Sequence, residues 1–244
     1  MKAILLAAGK GTRLKPFTDT VPKCLMPIHG KTLLEIWLDL FEKYGISDVL
    51  INTHHHSAKV ENFIENIKKD RPIKIVTSYE RELLGSGGTV FANKDFVADT
   101  DDFIIAYADN LTDINLKDMI DSHRLFKSKG GIITIGLFRA PDPTSCGIAV
   151  IDEDNRILNF IEKPENPKTN LANCGIYIST QKIFNYLAIY IEKKQNDILD
   201  FGFHVLPELS GKMFGYEIKS YLRDIGTSES YHEALEEWPL SSKG

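Results

Sequence analysis

Cysteine is scarce in this chain, with three residues among 244. Cys24, Cys146 and Cys174 stand far apart, without the paired spacing of a structural zinc site or a disulfide framework. We therefore expect free thiols in a reducing compartment. A chain of this length buries enough apolar surface to fold without a covalent or metal staple.

Long apolar runs and an excess of positive charge are also missing. No stretch approaches the roughly 18–20 apolar residues of a membrane-spanning helix, and the apolar start is too short for a secretory signal. The net charge is -5 at pH 7, which argues against broad nucleic-acid binding. We expect a soluble, cytoplasmic protein that binds neither membranes nor nucleic acid.

No linker rich in proline, glycine or serine interrupts the sequence, and no repeat is visible, so we expect one domain over residues 1–244. Up to residue 137, short apolar runs alternate with segments of helical periodicity, which predicts a parallel sheet with helices on both faces. The predicted strands are Ala3–Ala8, Asp48–Thr53, Ile73–Ser78, Phe103–Ala108 and Ile132–Leu137. The predicted helices are Leu33–Tyr44, Ala58–Lys69, Gly88–Phe96 and Leu116–Lys129.

The second half is richer in strand patterns and is expected to extend the same sheet. A polar turn separates the two strands of a predicted hairpin, and the pattern over Leu199–Leu206 favours neither helix nor strand. The predicted strands are Ile148–Ile151, Ile157–Ile161, Asn173–Ile178 and Tyr216–Leu222, and the predicted helices are Ile183–Lys193 and Ser228–Trp238.

A glycine loop, Gly9-Lys10-Gly11-Thr12-Arg13, directly follows the first predicted strand. Glycines let backbone N–H groups approach a phosphate closely, and Arg13 adds a bidentate donor for phosphate oxygens. Leu14 stands where a dinucleotide-binding fingerprint needs its third glycine, and the Gly-Lys-Ser/Thr ending of a Walker A loop is absent. The loop alone is equally compatible with a plain turn between strand and helix.

Several segments, taken in order, resemble the signature of the sugar-phosphate nucleotidyltransferase family, and most closely its mannose-1-phosphate and heptose-1-phosphate guanylyltransferases. Each match is weak alone, but their common order over almost the whole chain is specific. The matching segments are Leu6–Leu14 followed by Pro22-Lys23, then Glu82–Gly88, Asp109 at a strand end, Glu162-Lys163-Pro164, Asn173–Tyr177 and Asp224-Ile225-Gly226-Thr227.

The resemblance implies an α/β, GT-A-like nucleotidyltransferase fold with a Rossmann-like, mostly parallel mixed sheet flanked by helices. Residues 1–137 would bind the nucleotide, and a smaller β-rich extension over residues 138–244 would bind the acceptor. An oxygen of a sugar 1-phosphate would attack the α-phosphorus of a nucleoside triphosphate (NTP) and displace pyrophosphate. Because both reactants are anions, catalysis would consist mainly of positioning and charge neutralisation.

By the same resemblance, Arg13 would hold the triphosphate and Lys23 would contact phosphate oxygens in the transition state. A surface lysine is the alternative reading of Lys23. The residues expected to bind the nucleotide are Leu6, Ala8, Gly9, Gly11, Thr12, Arg13, Glu80, Glu82, Gly85, Ser86 and Gly87.

Asp109 and Asp224 each follow an apolar run, so both carboxylates are predicted at strand ends. Mg²⁺ prefers one or two carboxylates together with phosphate oxygens and water. The two aspartates are therefore candidate ligands of a Mg²⁺ ion, with Asp109 counted among the catalytic residues. The alternative is that each aspartate caps the segment that follows it.

Five residues are expected to bind the sugar phosphate, namely Asn110, Gly147, Glu162, Lys163 and Asn173. In the family the glutamate accepts sugar hydroxyls and the lysine binds the phosphate; without that context the pair reads as a solvated strand end. Three positions depart from the common pattern around these sites, namely Cys24, Ala108 and Cys146.

The base preference is predicted from Glu80 and Glu82, because a carboxylate can accept two N–H bonds from guanine N1 and N2. GTP and a manno-type hexose or heptose 1-phosphate are therefore favoured. Related enzymes keep open a uridylyltransferase acting on MurNAc 1-phosphate and a cytidylyltransferase acting on phosphocholine. A catalytically silent nucleotide-sugar-binding regulator is disfavoured because the charged residues of the site are present, and the oligomeric state is not predicted.

Overall fold

The computed structural model describes residues 1–193 and 198–238, and these contain thirteen strands and six α-helices. The strands are β1 Lys2–Leu6, β2 Pro27–Ile28, β3 Lys31–Thr32, β4 Asp48–Thr53, β5 Lys74–Tyr79, β6 Asp102–Tyr107, β7 Asn110–Thr112, β8 Ile133–Arg139, β9 Gly147–Ile151, β10 Arg156–Glu162, β11 Leu171–Thr180, β12 Met213–Glu217 and β13 Leu222–Asp224. The helices are α1 Leu33–Lys43, α2 Ser57–Ile67, α3 Gly85–Ala92, α4 Leu116–Ser128, α5 Ile183–Lys193 and α6 Ser228–Glu237.

Nine strands form one sheet in the order β5-β4-β1-β6-β11-β8-β12-β10-β9. The first four are mutually parallel, whereas β11 runs antiparallel to both β6 and β8. Beyond β8 the pairing is mixed, because β12 is parallel to β8 and antiparallel to β10. The predicted mixed sheet is confirmed, with the contiguous parallel pairing confined to β5, β4, β1 and β6; the Rossmann-like and GT-A-like descriptions stay predictions.

Both faces of the sheet are covered by helices, as the alternation in the sequence predicts. On β1, Ala3 and Leu5 belong to one apolar cluster and Ile4 to another, because neighbouring side chains of a strand point to opposite faces. Helices α1, α2 and α4 pack into the first cluster, and α3 and α5 into the second. Both halves of the chain contribute strands to this sheet, while the functional boundary near residue 137 stays a prediction.

Two predicted elements are wrong in their bounds. The third helix is predicted over Gly88–Phe96 but starts at Gly85 and ends at Ala92. Glycine is a poor helix former, and this start is imposed by contacts with a distant segment described below. The strand predicted over Tyr216–Leu222 is divided: β12 ends at Glu217, and four residues outside any strand precede β13, which begins at Leu222.

The remaining predictions of secondary structure agree with the structure to within a few residues. The hairpin is formed by β9 and β10. Leu199–Leu206, which the sequence left open, contains a short helical segment over Phe201–Val205. Within residues 1–193 and 198–238, no helix has the length and apolar character needed to cross a membrane.

Candidate active site

The candidate site lies beyond the carboxyl ends of β1 and β6. Strand β1 has β4 on one side and β6 on the other. The chain adds β4 and β5 on one side of β1 and then crosses back to place β6 on the other side, so the strand order reverses between β1 and β6. Open α/β sheets bind ligands at such a switch point. The glycine loop follows β1, and Asp109 follows β6 by two residues, so both reach this crevice.

A small two-stranded ribbon brings Asp109 and Asp224 together, although 115 positions (224 − 109) separate them. Strands β7 and β13 pair in antiparallel register, with Asn110 opposite Asp224. The amide N–H of Ile225 donates to the carbonyl oxygen of Asp109 at 2.9 Å. The ribbon therefore explains how a residue of the last strand reaches the end of β6.

Neither aspartate caps a helix, which removes the alternative reading of these residues. Asp109 is followed by strand β7, and the cap of α6 is Thr227, whose side chain accepts from the N–H of Ser230. Gly226 leaves room for the carboxylate, because a Cβ there would lie 2.6 Å from Asp224 Oδ2.

Lys23 lies between the two carboxylates. Its Nζ is 2.6 Å from Asp109 Oδ2 and 3.3 Å from Asp224 Oδ1, and its side chain is only 10% exposed. Burial lowers the pKa of Lys23, but Asp109 and Asp224 outweigh burial, so the pKa lies above its ordinary value. The surface-lysine reading is therefore wrong: Lys23 is a buried, charged member of the site.

Arg13 reaches the same cluster from the glycine loop. One of its terminal nitrogens is 3.8 Å from Asp224 Oδ2, and 71% of its side chain is exposed. Partial desolvation and the charge of Asp109 raise the pKa of Asp224, while Lys23 and Arg13 oppose that shift. The site thus combines two carboxylates with one fixed and one freely accessible cation.

The donor set fits a Mg²⁺ ion. Two carboxylates face the same small volume, where Lys23 Nζ now lies between them, and such a pair of carboxylates is a donor set that Mg²⁺ accepts. No group of three or more histidine, cysteine, aspartate or glutamate side chains suited to a metal occurs in the described residues. Mg²⁺ tolerates so few protein ligands because phosphate oxygens and water complete its coordination.

The first glycine segment, Gly9–Gly11, is open at Gly9 only. A Cβ at Gly9 would meet no atom within 4 Å, whereas Gly11 is in the left-handed region and packs against Thr18. A cavity of about 280 Å³ adjoins this loop, and six of the predicted nucleotide-binding residues line it: Leu6, Ala8, Gly9, Glu80, Gly85 and Ser86. Gly11, Thr12 and Arg13 lie outside its lining.

The second glycine segment, Gly85–Gly88, lines the same cavity with Gly85 and Ser86 but is covered by the protein at Gly87 and Gly88. The carbonyl oxygen of Leu199 accepts from the N–H groups of Gly87 and Gly88 at 2.8 and 3.1 Å. A Cβ at Gly85 would lie 2.5 Å from that same oxygen. The N–H of Gly87, predicted to serve the nucleotide, is therefore already bonded to protein.

Glu80 and Glu82, the two carboxylates predicted to read the base, differ in placement. Glu80 is 4% exposed, lines the 280 Å³ cavity and accepts from Asn52 Nδ2 at 2.8 Å. It also accepts from Thr89 Oγ1 and from the N–H of Leu84. Glu82 is exposed and lies outside the lining.

All five residues predicted to bind the sugar phosphate line a second cavity of about 630 Å³, together with Asp109 and Asp224. Burial and the nearby Asp200 raise the pKa of Glu162. Lys163 has a positive φ of 49° and places its Nζ 5.6 Å from the centre of the Phe203 ring. The solvated-strand-end reading fails for Glu162, which faces this cavity.

The other predicted sugar contacts already have partners in the protein. Asn173 donates to the hydroxyl of Tyr177 at 2.8 Å, and Asn110 donates to the carbonyl of Cys174 at 2.6 Å. A Cβ at Gly147 would lie 2.4 Å from Glu162 Oε2, so glycine is required there by the glutamate side chain.

Four polar residues that line the smaller cavity were missed by the sequence reasoning. Tyr107 and Asp200 line both cavities, as Asp109 does. Asn52 and Thr89 line the smaller one. Asp200 lies in the segment without clear periodicity, and the other three occur within ordinary strand or helix patterns, so no local signal marked them.

The three residues that depart from the family pattern differ in where they lie. Cys24 is buried, and burial raises the pKa of its thiol to about 12. Ala108 is buried as well. Cys146 lines the larger cavity, so only this departure changes a surface that an acceptor would meet.

Comparison with known proteins identifies consistent relatives. Residues 2–239 match the family described as nucleotidyl transferase. A UTP-glucose-1-phosphate uridylyltransferase of Synechocystis is 32% identical, over 96% of this chain and 62% of that protein. A probable mannose-1-phosphate guanylyltransferase 1 of Oryza sativa is 29% identical, over 96% and 64%. The chain thus spans about three fifths of these curated relatives.

Among solved structures, HddC from Yersinia pseudotuberculosis superimposes with a TM-score of 0.77 at 26% identity, covering 98% of this chain and 99% of HddC. A second structure of HddC contains GMP-PN. The protein shares this α/β fold with HddC. The activities named for the relatives include uridylyl, adenylyl and guanylyl transfer, so the base is not common to all of them.

Proposed function

We propose a reaction for this chain from one premise: it belongs to the nucleotidyl transferase family. The proposed activity is transfer of a nucleoside monophosphate from an NTP to a sugar 1-phosphate, with release of pyrophosphate. One observation carries the proposal. Asp109, held by Lys23, lines both the cavity beside the glycine loop and the cavity that contains Glu162 and Lys163.

The two cavities divide the reactants between them. The triphosphate occupies the 280 Å³ cavity, with its phosphates beside Gly9, and the sugar 1-phosphate occupies the 630 Å³ cavity. Because Tyr107, Asp109 and Asp200 line both, the α-phosphate and the attacking phosphate oxygen meet at Asp109. Glu162 accepts sugar hydroxyls, and Lys163 supplies positive charge for the acceptor phosphate.

The chemistry is an in-line displacement at phosphorus. A bond forms between the acceptor oxygen and the α-phosphorus, the bond to the bridging oxygen breaks, and its electron pair leaves with pyrophosphate. Lys23 neutralises charge that develops at the α-phosphate, and the accessible guanidinium of Arg13 stabilises the departing pyrophosphate. Asp109 and Asp224 would hold Mg²⁺, which would supply positive charge to the reacting phosphates when bound.

GTP is the proposed donor and a manno-type hexose or heptose 1-phosphate the proposed acceptor. Support for guanine comes from Glu80, whose carboxylate lines the nucleotide cavity and can accept the N1–H of the base. The match to a mannose-1-phosphate guanylyltransferase and the GMP-PN complex of HddC point the same way. The proposal of a manno-type sugar rests only on the mannose-1-phosphate guanylyltransferase relative.

The reaction is tested by pyrophosphate release with Mg²⁺. GTP, UTP, CTP, dTTP and ATP are each combined with mannose 1-phosphate, heptose 1-phosphate, glucose 1-phosphate, MurNAc 1-phosphate and phosphocholine. Turnover with GTP and a manno-type acceptor is expected. Turnover with another pair would overturn the substrate assignment but keep the reaction, and nucleotide binding without any turnover would favour a silent regulator.

The role of Asp109 is tested by Asp109→Asn. We expect turnover to fall by at least about 10²–10³-fold, the usual cost of one lost electrostatic contact, while the fold is retained because the substitution is isosteric. Steady-state kinetics and a thermal melt measure the two effects, with Asp121→Asn on the exposed face of α4 as control. Undiminished activity in Asp109→Asn would remove Asp109 from the mechanism.

A further inference from the structure

The Glu80 carboxylate belongs to a hydrogen-bond network in which one contact determines which groups donate and which accept. The backbone N–H of Ala7 donates to Asn52 Oδ1 at 2.7 Å. Since a backbone amide can only donate, this contact assigns the Asn52 oxygen to Ala7 and turns the amide nitrogen towards Glu80. Asn52 Nδ2 then donates to Glu80 Oε1 at 2.8 Å and to Thr89 Oγ1 at 3.3 Å.

The hydroxyl of Thr89 completes the network. It accepts from Asn52, so its own hydrogen is free to donate to Glu80 Oε1. The second carboxylate oxygen, Oε2, accepts from the N–H of Leu84 at 3.2 Å. All three partners of Glu80 are therefore donors, and two of them use the same oxygen.

An ionised carboxylate offers about four acceptor sites, two on each oxygen. Asn52 and Thr89 fill both sites of Oε1, and Leu84 fills one site of Oε2, which leaves one site on Oε2. Reading both guanine donors, N1–H and the 2-amino group, in the bidentate manner requires one site on each oxygen. Glu80 lacks that pair of sites.

We propose that Asn52 and Thr89 are positioning residues that hold Glu80 with one free acceptor site, so that the pocket reads the N1–H of a 6-oxopurine and ignores the 2-amino group. The substrate class is thereby widened from GTP to 6-oxopurine nucleoside triphosphates, including ITP. The inference rests on the proposed assignment of guanine to the Glu80 pocket.

ITP is the matched probe, because it differs from GTP only by lacking the 2-amino group. Binding of GTP, ITP and UTP to the full chain with Mg²⁺ is measured by isothermal titration calorimetry without any acceptor. We expect the Kd values of GTP and ITP to agree within about threefold. A preference for GTP over ITP of tenfold or more in the unaltered protein would overturn the inference.

Thr89→Val provides a test by gain of selectivity. The substitution keeps the shape of the side chain and removes the hydroxyl, which frees one acceptor site on Oε1 for the 2-amino group. GTP should then bind about tenfold more tightly than ITP, the effect of one hydrogen bond to a charged group. Thr89→Ser keeps the hydroxyl and should behave like the unaltered protein; an unchanged GTP/ITP ratio in Thr89→Val would contradict the proposal.

Asn52→Asp tests the positioning role separately. Aspartate keeps the acceptor for Ala7 N–H but places an oxygen where the donor to Glu80 was. The Kd of GTP and of ITP should rise together by at least about tenfold, while thermal melts check that the fold persists. A melt that falls without any change in Kd would show a purely structural role.

The outcomes separate the two proposals. Failure of any triphosphate to bind would overturn the proposed function. Binding of UTP but neither GTP nor ITP would overturn the guanine assignment, and this inference with it. Binding of GTP with strong rejection of ITP would overturn the inference alone.

Discussion

The chain contains two glycine-rich segments, and they are glycine-rich for different physical reasons. Gly9–Gly11 follows β1 and leaves open space: a Cβ at Gly9 would meet nothing within 4 Å. Gly85–Gly88 starts α3 and is filled by the chain itself, because Leu199 crosses it and takes two of its N–H groups. Gly9 leaves room for a ligand, whereas the glycines of the second segment make room for a protein backbone, although Gly85 and Ser86 also line the smaller cavity.

Glycine content alone therefore does not locate a phosphate-binding site. A helix start leaves N–H groups without intrahelical partners, and any acceptor can take them. At α3 the acceptor is the carbonyl of Leu199 for two of these groups. Ser86 donates to Asp200 at 3.0 Å and accepts from the N–H of Phe201 at 2.8 Å, which extends the same contact. The second segment therefore anchors Asp200, which lines both cavities.

The largest expected effect concerns the cation of the open segment. Arg13→Ala should lower kcat/KM by about 10²–10³-fold through lost stabilisation of the departing pyrophosphate. The free energy of unfolding should change by less than about 0.5 kcal/mol, as for most exposed substitutions, since 71% of the side chain is exposed. Pyrophosphate release and a urea melt measure the two quantities.

Arg81→Ala is the control for that prediction, because Arg81 is an exposed arginine just before the covered segment. It should change kcat/KM by less than about threefold. Equal losses in the two variants would mean that both segments face the triphosphate, and the contrast between them would fail.

The next effect concerns stability and the covered segment. Gly85→Ala should cost about 2–4 kcal/mol of unfolding free energy, from the left-handed backbone and from overpacking. Gly85 has a φ of 79°, and the new Cβ would lie 2.5 Å from the Leu199 carbonyl oxygen. Denaturant melts of the purified variant measure this cost.

Gly130→Ala separates the two causes. Gly130 has a similar φ of 88°, but a Cβ at this position would meet no atom within 4 Å. Its variant should therefore lose only the backbone contribution of about 1–2 kcal/mol. If Gly85→Ala were no worse than Gly130→Ala, the covering by Leu199 would not be the reason for glycine at position 85.

Local patterns in the sequence predicted much of the fold, and the family resemblance predicted several residues of the larger cavity. Strand and helix periodicities predicted the elements of the first half within a few residues, and motif matches located Glu162, Lys163 and Asn173 in one cavity. The periodicities succeeded because each reports on burial or on a short turn, while the roles of the motif residues stay predictions. The start of α3 could not be predicted, since it depends on Leu199, more than a hundred positions away.

The parts of the site that depend on distant pairing were also beyond the sequence. Nothing near Asp224 indicates that β13 pairs with β7, and the family resemblance alone joined it to Asp109. Asn52 and Thr89 occur in an ordinary strand and helix, so their bonds to Glu80 become visible only in three dimensions. Nothing in the sequence therefore indicated that three donors already bond to the Glu80 carboxylate.

The smallest expected effect returns to the open segment. Gly9→Ala should leave the free energy of unfolding within about 0.5 kcal/mol, because Gly9 avoids the left-handed region and its Cβ would enter empty space. The same methyl group occupies room needed by a closely approaching phosphate, so kcat/KM should fall about tenfold, or about 1.4 kcal/mol. Thermal melts and initial rates at limiting GTP measure both. A loss of stability without a loss of rate would reverse the assignment of the two segments, because the open one would then be structural.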